Sequence, residues 1–194
     1  MGVIKYKLDI EKLFAKSVIV TNNSISRIIG KKKNKNYTKR IINYLIKKGD
    51  IKRITKGYYT NRNDNSISVL CFQPAYLGLQ DALSFYNLWE QETIPVIITT
   101  KNIRTGIRKI LGKNVLLRKV DKRYFFGYEY HEYDNLALPY SSIEKTFIDL
   151  IYFKQSLDEE VIKNIKKKID IKKLNLYLKK YPKKFRRKVE KCMR

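Results

Sequence analysis

Apolar positions in the first third of the chain change period twice, and the changes mark out a series of elements. Leu13 and Phe14 give residues 9–16 an apolar face, with Asp9 as the expected cap. Thr21, Asn22 and Asn23 are good N-caps; Ile25, Ile28 and Ile29 then recur at helical spacing until Gly30. After a polar turn, residues 31–36, a second repeat sets Ile41, Ile42, Leu45 and Ile46 on one side. Lys39, Arg40, Asn43 and Lys47 fall on the other side, with Tyr37 near the start. Lys47 and Lys48 suit the negative end of the helix dipole, and Gly49 stops the helix. The period then shortens to two. Ile51-Lys52-Arg53-Ile54 is expected to pair with Tyr58-Tyr59-Thr60 across a turn holding Lys56-Gly57. Helix, helix, basic turn, helix and hairpin, in that order, predict a winged helix-turn-helix over residues 1–62.

The pattern breaks at 61–68, NRNDNSIS, which reads as a polar linker before a second domain over 69–194. There Pro74 is expected to open a largely apolar helix, PAYLGLQDALSFYNLW. Strands are expected at 94–100, 115–117, 124–133 and 136–138, each rich in β-branched or aromatic residues. Ser141, Ser142 and Glu144 suggest a capping-box start to the helix through Tyr152. Three amphipathic, lysine-rich helices follow at 158–168, 171–180 and 184–193, with Pro182 between the last two. The expected class is α+β: a winged helix-turn-helix, then a mixed α/β domain with a small sheet and a helical, lysine-rich C-terminal part.

Charge sharpens this division. The formal net charge of the 194 residues is +25, spread unevenly. Residues 1–62 hold 17 Lys and Arg against 3 Asp and Glu; residues 63–134 hold 9 against 8; residues 135–194 hold 17 against 7. A basic head and tail around a neutral middle point to anionic partners, nucleic acid first. No stretch approaches the roughly 20 apolar residues of a spanning helix. The interleaved charges of MGVIKYKLDIEKLF are unlike a signal peptide, so a cytoplasmic location is expected.

Candidate chemistry is sparse. Cys71 and Cys192 lie far apart and form no metal-binding spacing; His131 is the single histidine; no glycine-rich phosphate loop is present. Asp134, Glu144, Lys145 and Asp149 are the residues that a magnesium-dependent nuclease set would use. Glu144 and Asp149 are five apart on one helix, however, and diverge. No cofactor, metal or enzymatic activity is expected. The run Lys183 to Lys188 reads equally as a phosphate-contacting patch or as a solvated face.

Three segments resemble the AbiEi-type antitoxins, the regulator half of type IV abortive-infection toxin–antitoxin pairs. They are IKRITKGYYT, the unit PAYLGLQDALSFYNLWEQETIP leading into VIITT, and SSIEKTFIDLIYF. Asn87-Leu88 departs from the Gly-Leu frequent in that family. The resemblance implies a transcriptional autorepressor that opposes a nucleotidyltransferase toxin without a stable complex. On this reading the helix from about Asn36 to Lys48 enters the major groove of double-stranded DNA. Tyr37, Lys39, Arg40 and Asn43 would face the bases and phosphates, with Lys47 on phosphate. Arg53 and Lys56 would lie along the backbone, and Lys31, Lys32, Lys33 and Lys35 would add phosphate contacts. An inverted-repeat operator would bring two protomers together. The alternatives are a metal-dependent defence nuclease and an RNA- or nucleoprotein-binding module.

Overall fold

The computed structural model describes residues 4–30, 35–133, 136–156 and 158–193. The chain divides into two compact units, 1–71 with 109–113, and 72–108 with 114–194.

In the first unit the order is α1 (Ile4–Lys16), β1 (Val20–Thr21), α2 (Asn22–Ile29), α3 (Lys35–Lys48), β2 (Lys52–Thr55) and β3 (Tyr58–Thr60). Helix α1 starts earlier than its expected cap. Asp9 lies inside it and pairs with Lys12 at 3.9 Å, because Tyr6, a turn before Ile10, extends the apolar stripe back along the helix. The Thr21 hydroxyl accepts from the Ser24 amide at 3.1 Å and caps α2. Strand β3 pairs antiparallel with both β2 and β1, making a three-stranded sheet. The two-residue β1 is too short to leave an alternating signal in the sequence. Gly57 takes φ +84° at the hairpin tip, a conformation that favours glycine. One core gathers Ile10 and Phe14 from α1, Ile25 and Ile29 from α2, and Ile41, Ile42 and Leu45 from α3.

Residues 66–72, partly inside the expected linker, form a 3-10 helix in which Ile67, Ser68 and Val69 are fully buried. The Ser66 amide donates to the Asp64 carboxylate at 2.9 Å, and the Ser68 hydroxyl donates to the Asn65 carbonyl at 2.6 Å. Polar letters in this stretch serve local turns rather than solvent.

The second unit is built on a six-stranded mixed sheet, β6-β7-β5-β4-β9-β8. Its strands are β4 (Ala75–Leu77), β5 (Val96–Thr99), β6 (Gly106–Ile110), β7 (Lys113–Lys119), β8 (Tyr128–Tyr133) and β9 (Leu136–Ser141). The helix expected from Pro74 is corrected: Ala75-Tyr76-Leu77 is a strand, antiparallel to β5 and parallel to β9, and only Gln80–Phe85 is helical (α4). A central strand buried on both faces carries no period, and sheet pairing overrides the helical reading of its letters. Gly78 ends it where a Cβ would meet Ile98 Cδ1 at 2.6 Å. Strand β6 has no expected counterpart, since its exposed Ile107 and Lys109 and half-buried Arg108 disguise an edge strand. The aromatic strand starts at Tyr128 rather than Tyr124, because Lys122–Tyr124 is a 3-10 turn and Gly127 breaks the run with φ +71°.

Helix α5 (Ile143–Tyr152) is followed by α6 (Glu159–Lys168), α7 (Ile171–Leu178) and α8 (Lys183–Met193), where the amphipathic repeats predict them. Tyr76, Leu79, Leu83, Phe147, Leu174 and Val189 belong to a single core joining sheet and helices. The coarse α+β reading therefore holds. Among the described residues no helix is long and apolar enough to cross a membrane.

Candidate nucleic-acid interface

Helix α3 sorts its residues by face. Thr38, Ile41, Ile42 and Leu45 are buried, while Asn36, Lys39, Arg40, Asn43 and Lys47 are exposed. Asn36, Arg40, Asn43 and Lys47 follow one another at spacings of four, three and four, so they form one outward stripe. Among the described residues none offers a carboxylate ion pair to Lys39, Arg40 or Lys47. The acidic residues of this unit sit elsewhere. Asp9 and Glu11 pair with Lys12 and Lys7 on α1, the latter at 3.6 Å, and Glu11 and Asp50 line the same small cavity beside α1. Among the described residues the charges of Arg40 and Lys47 on this stripe are thus uncompensated. Beyond it, Lys48 lies over the Tyr44 ring at 5.1 Å, and its pKa is raised by hydrogen bonding to that tyrosine.

Tyr37 is half-buried, unlike the exposed residues of the stripe. Its ring meets Tyr6 edge-on, with centroids 6.5 Å apart, and it packs against the core with only partial exposure. The helix therefore uses Tyr37 as a packing edge, since an aromatic ring gains more from burial than a lysine at the same position would. On the hairpin, Arg53 and Lys56 are exposed at positions flanking the buried Ile54. Lys31, Lys32 and Lys33 lie outside the described residues, as does the Lys35 side chain, although the Lys35 backbone begins α3.

The second unit contains a different constellation. Ser142 caps α5 by accepting from the Lys145 amide at 3.4 Å. The expected capping box does not form, because Glu144 falls one position early for the reciprocal bond. It accepts instead from the Ser142 hydroxyl at 2.9 Å and from the Asp170 amide at 3.1 Å, at the start of α7. One turn on, Lys145 Nζ pairs with Asp149, and both side chains are fully buried. Asp149 also accepts from the Tyr76 hydroxyl at 2.7 Å; Lys145 approaches the Tyr181 hydroxyl at 3.5 Å and the Phe126 ring at 5.3 Å. Burial pushes the Lys145 ammonium down and the Asp149 carboxyl up from their ordinary values, each offset in part by the other. Glu144, Lys145 and Asp149 are occupied by protein groups, and Asp134 lies outside the described residues. Among the described residues no group of three His, Cys, Asp or Glu is arranged to hold a metal ion.

His131 packs among Phe85, Tyr86 and Tyr140, its Nε2 3.4 Å from the Tyr86 hydroxyl. In the run Lys183–Lys188, Arg186 is committed: it donates to the Tyr181 and Lys179 carbonyls at 2.7 and 3.1 Å, closing the end of α7.

No protein-family model matches the chain, and no curated protein matches it. Its fold is similar to the crystal structure of the RV2827C protein from Mycobacterium tuberculosis. The TM-score is 0.62 at 12% identity, covering 97% of this chain and 75% of that one. At that identity the likeness concerns the fold alone.

The buried Lys145–Asp149 pair is the one feature that sequence reasoning missed while naming both residues. Its signal was a Lys and an Asp four apart on a helix whose other positions are almost wholly apolar, a pattern that calls for mutual neutralisation.

Proposed function

We propose that the chain is a DNA-binding transcriptional regulator whose first unit is a winged helix-turn-helix. The observation that carries this reading is the stripe Asn36, Arg40, Asn43 and Lys47 on α3, exposed beside a basic hairpin, with no carboxylate among the described residues paired to Arg40 or Lys47. Helix α3 enters the major groove. Arg40 can bond guanine bidentately, and Asn43 adenine; Lys39 and Lys47 meet phosphates. The β2–β3 hairpin acts as the wing, with Arg53 and Lys56 along the backbone. The motif resemblance extends this to a cytoplasmic autorepressor and antitoxin of a type IV toxin–antitoxin operon. The second unit then opposes a nucleotidyltransferase toxin without a lasting complex.

The test is binding to the duplex upstream of the protein's own gene. Each base-reading side chain contributes about 1–3 kcal/mol of discrimination. Arg40→Ala with Asn43→Ala therefore lowers affinity by about thirtyfold or more and flattens preference over random duplex. Unchanged binding by that double variant would remove α3 from the interface.

A further inference from the structure

A second surface is built on α7 and α8, outside the DNA-facing unit. Ile171, Leu174 and Leu178 of α7 and Met193 of α8 form the apolar walls of an open groove of about 290 Å³, with Asn175 and Glu190 at its edges. Leu174 and Leu178 are buried at the floor, but Ile171 remains 52% exposed. An apolar cavity of about 150 Å³ holds a benzene-sized group, so this groove has room for two apolar side chains. Glu190 is the one charged residue lining it, but the helices that form it are strongly basic. Residues 171–193 hold ten Lys and Arg against one Glu, and Lys183, Arg187 and Lys191 recur every four residues along the exposed face of α8.

These two features together select the partner. A nucleic-acid backbone would use the basic helices but gains nothing from an apolar floor that offers no hydrogen-bond donors to phosphate. An amphipathic helix uses both: apolar side chains at i, i+3, i+4 and i+7 fill the groove, and carboxylates on its flanks meet the lysines and arginines. We propose that the α7–α8 groove docks an acidic amphipathic helix of a partner protein. The net charge of these helices steers the encounter, and the groove supplies register. This assignment stands independently of the DNA reading, because it uses none of the α3 or hairpin residues.

The test uses the full chain and two fluorescent peptides of identical composition, one with leucines in a helical stripe among glutamates and one scrambled. The striped peptide is expected to bind at least about tenfold more tightly, as ordered apolar contacts in the groove amount to more than one factor of ten in affinity. Ile171→Glu removes a groove wall at an exposed first-turn position where an acidic residue suits the helix. In that variant the preference for the striped peptide collapses to about one while circular dichroism is unchanged. Arg187→Glu with Lys191→Glu weakens both peptides. Equal binding of the two peptides to the parent protein overturns the proposal, since charge alone would then explain it. It is also overturned if duplex DNA displaces the striped peptide from the Arg40→Ala, Asn43→Ala variant, which would assign the surface to nucleic acid.

Discussion

Lys145 is the residue whose position is hardest to justify without a partner. A fully buried ammonium is tolerable only because Asp149 neutralises it, Tyr76 completes the carboxylate's hydrogen bonds, and aromatic faces surround it. Lys145→Met leaves Asp149 uncompensated in the core. It should destabilise the protein by about 3–5 kcal/mol, read as a lowered urea midpoint. Removing the whole polar set with Lys145→Met, Asp149→Leu and Tyr76→Phe should recover most of that loss. Such recovery distinguishes a structural pair from a catalytic one, and equal loss in the single and triple variants would contradict it. Both residues stand in the sequence four apart, so the pairing was readable. What the letters could not convey is that the ring of aromatics comes from β4, the 124–128 turn and the end of α7, residues up to 73 positions away. Glu144 makes the same point: its helix-start position is legible, but its bond to the Asp170 amide depends on where α7 begins.

At the scale of elements, the proposed DNA binding assigns different work to α3 and to the hairpin by geometry. Because Arg40 and Asn43 lie on the outward stripe, their loss should change which sequence is bound. Arg53 and Lys56 lie on a hairpin and carry only charge, so Lys56→Ala should weaken all duplexes alike and reduce the slope of log affinity against log salt by about one. On the proposed function, about six phosphate contacts should make the parent protein's affinity for duplex fall about a thousandfold between 50 and 200 mM salt. A slope unaffected by Lys56→Ala would move the hairpin off the duplex. These elements were legible because helical and alternating periods are strong local signals over residues 24–60. Strand β4 was not, and neither was β6. Ala75-Tyr76-Leu77 is apolar on both faces and its letters suit a helix as well; only pairing with β5 and β9 makes it a strand. In β6, the exposed edge position admits charged residues that hide the alternation.

For the molecule as a whole, the aromatic core of the second unit sets a limit on the alkaline side. The Tyr86 hydroxyl is pushed up to about 12, chiefly by burial, and burial also raises those of Tyr76 and Tyr181. Unfolded tyrosine titrates near 10, so the folded state holds these protons longer. Their contribution to stability is therefore complete below pH 10, and that of Tyr86 is lost as pH rises through about 12. The urea midpoint should fall across that window, and phenolate absorbance should appear together with loss of near-ultraviolet circular dichroism. Phenolates forming with the tertiary signal intact would show that these hydroxyls are accessible. A second whole-molecule expectation concerns the nuclease alternative. With Glu144, Lys145 and Asp149 enclosed, plasmid incubated with magnesium should remain uncut; cleavage abolished by Glu144→Ala would restore that reading.

The sequence alone determined the order of helices and hairpin in the first 60 residues, the three C-terminal amphipathic helices and the uneven distribution of charge. These depend on spacing along the chain, which local backbone geometry converts directly into a face. Tertiary structure decided that Ala75–Leu77 is a central strand, that Tyr37 turns toward the core, that Arg186 closes a helix end, and that Lys145 and Asp149 vanish into an aromatic box. Each of those outcomes is set by partners distant in sequence, and burial free energy outweighs the local preference of the residues involved.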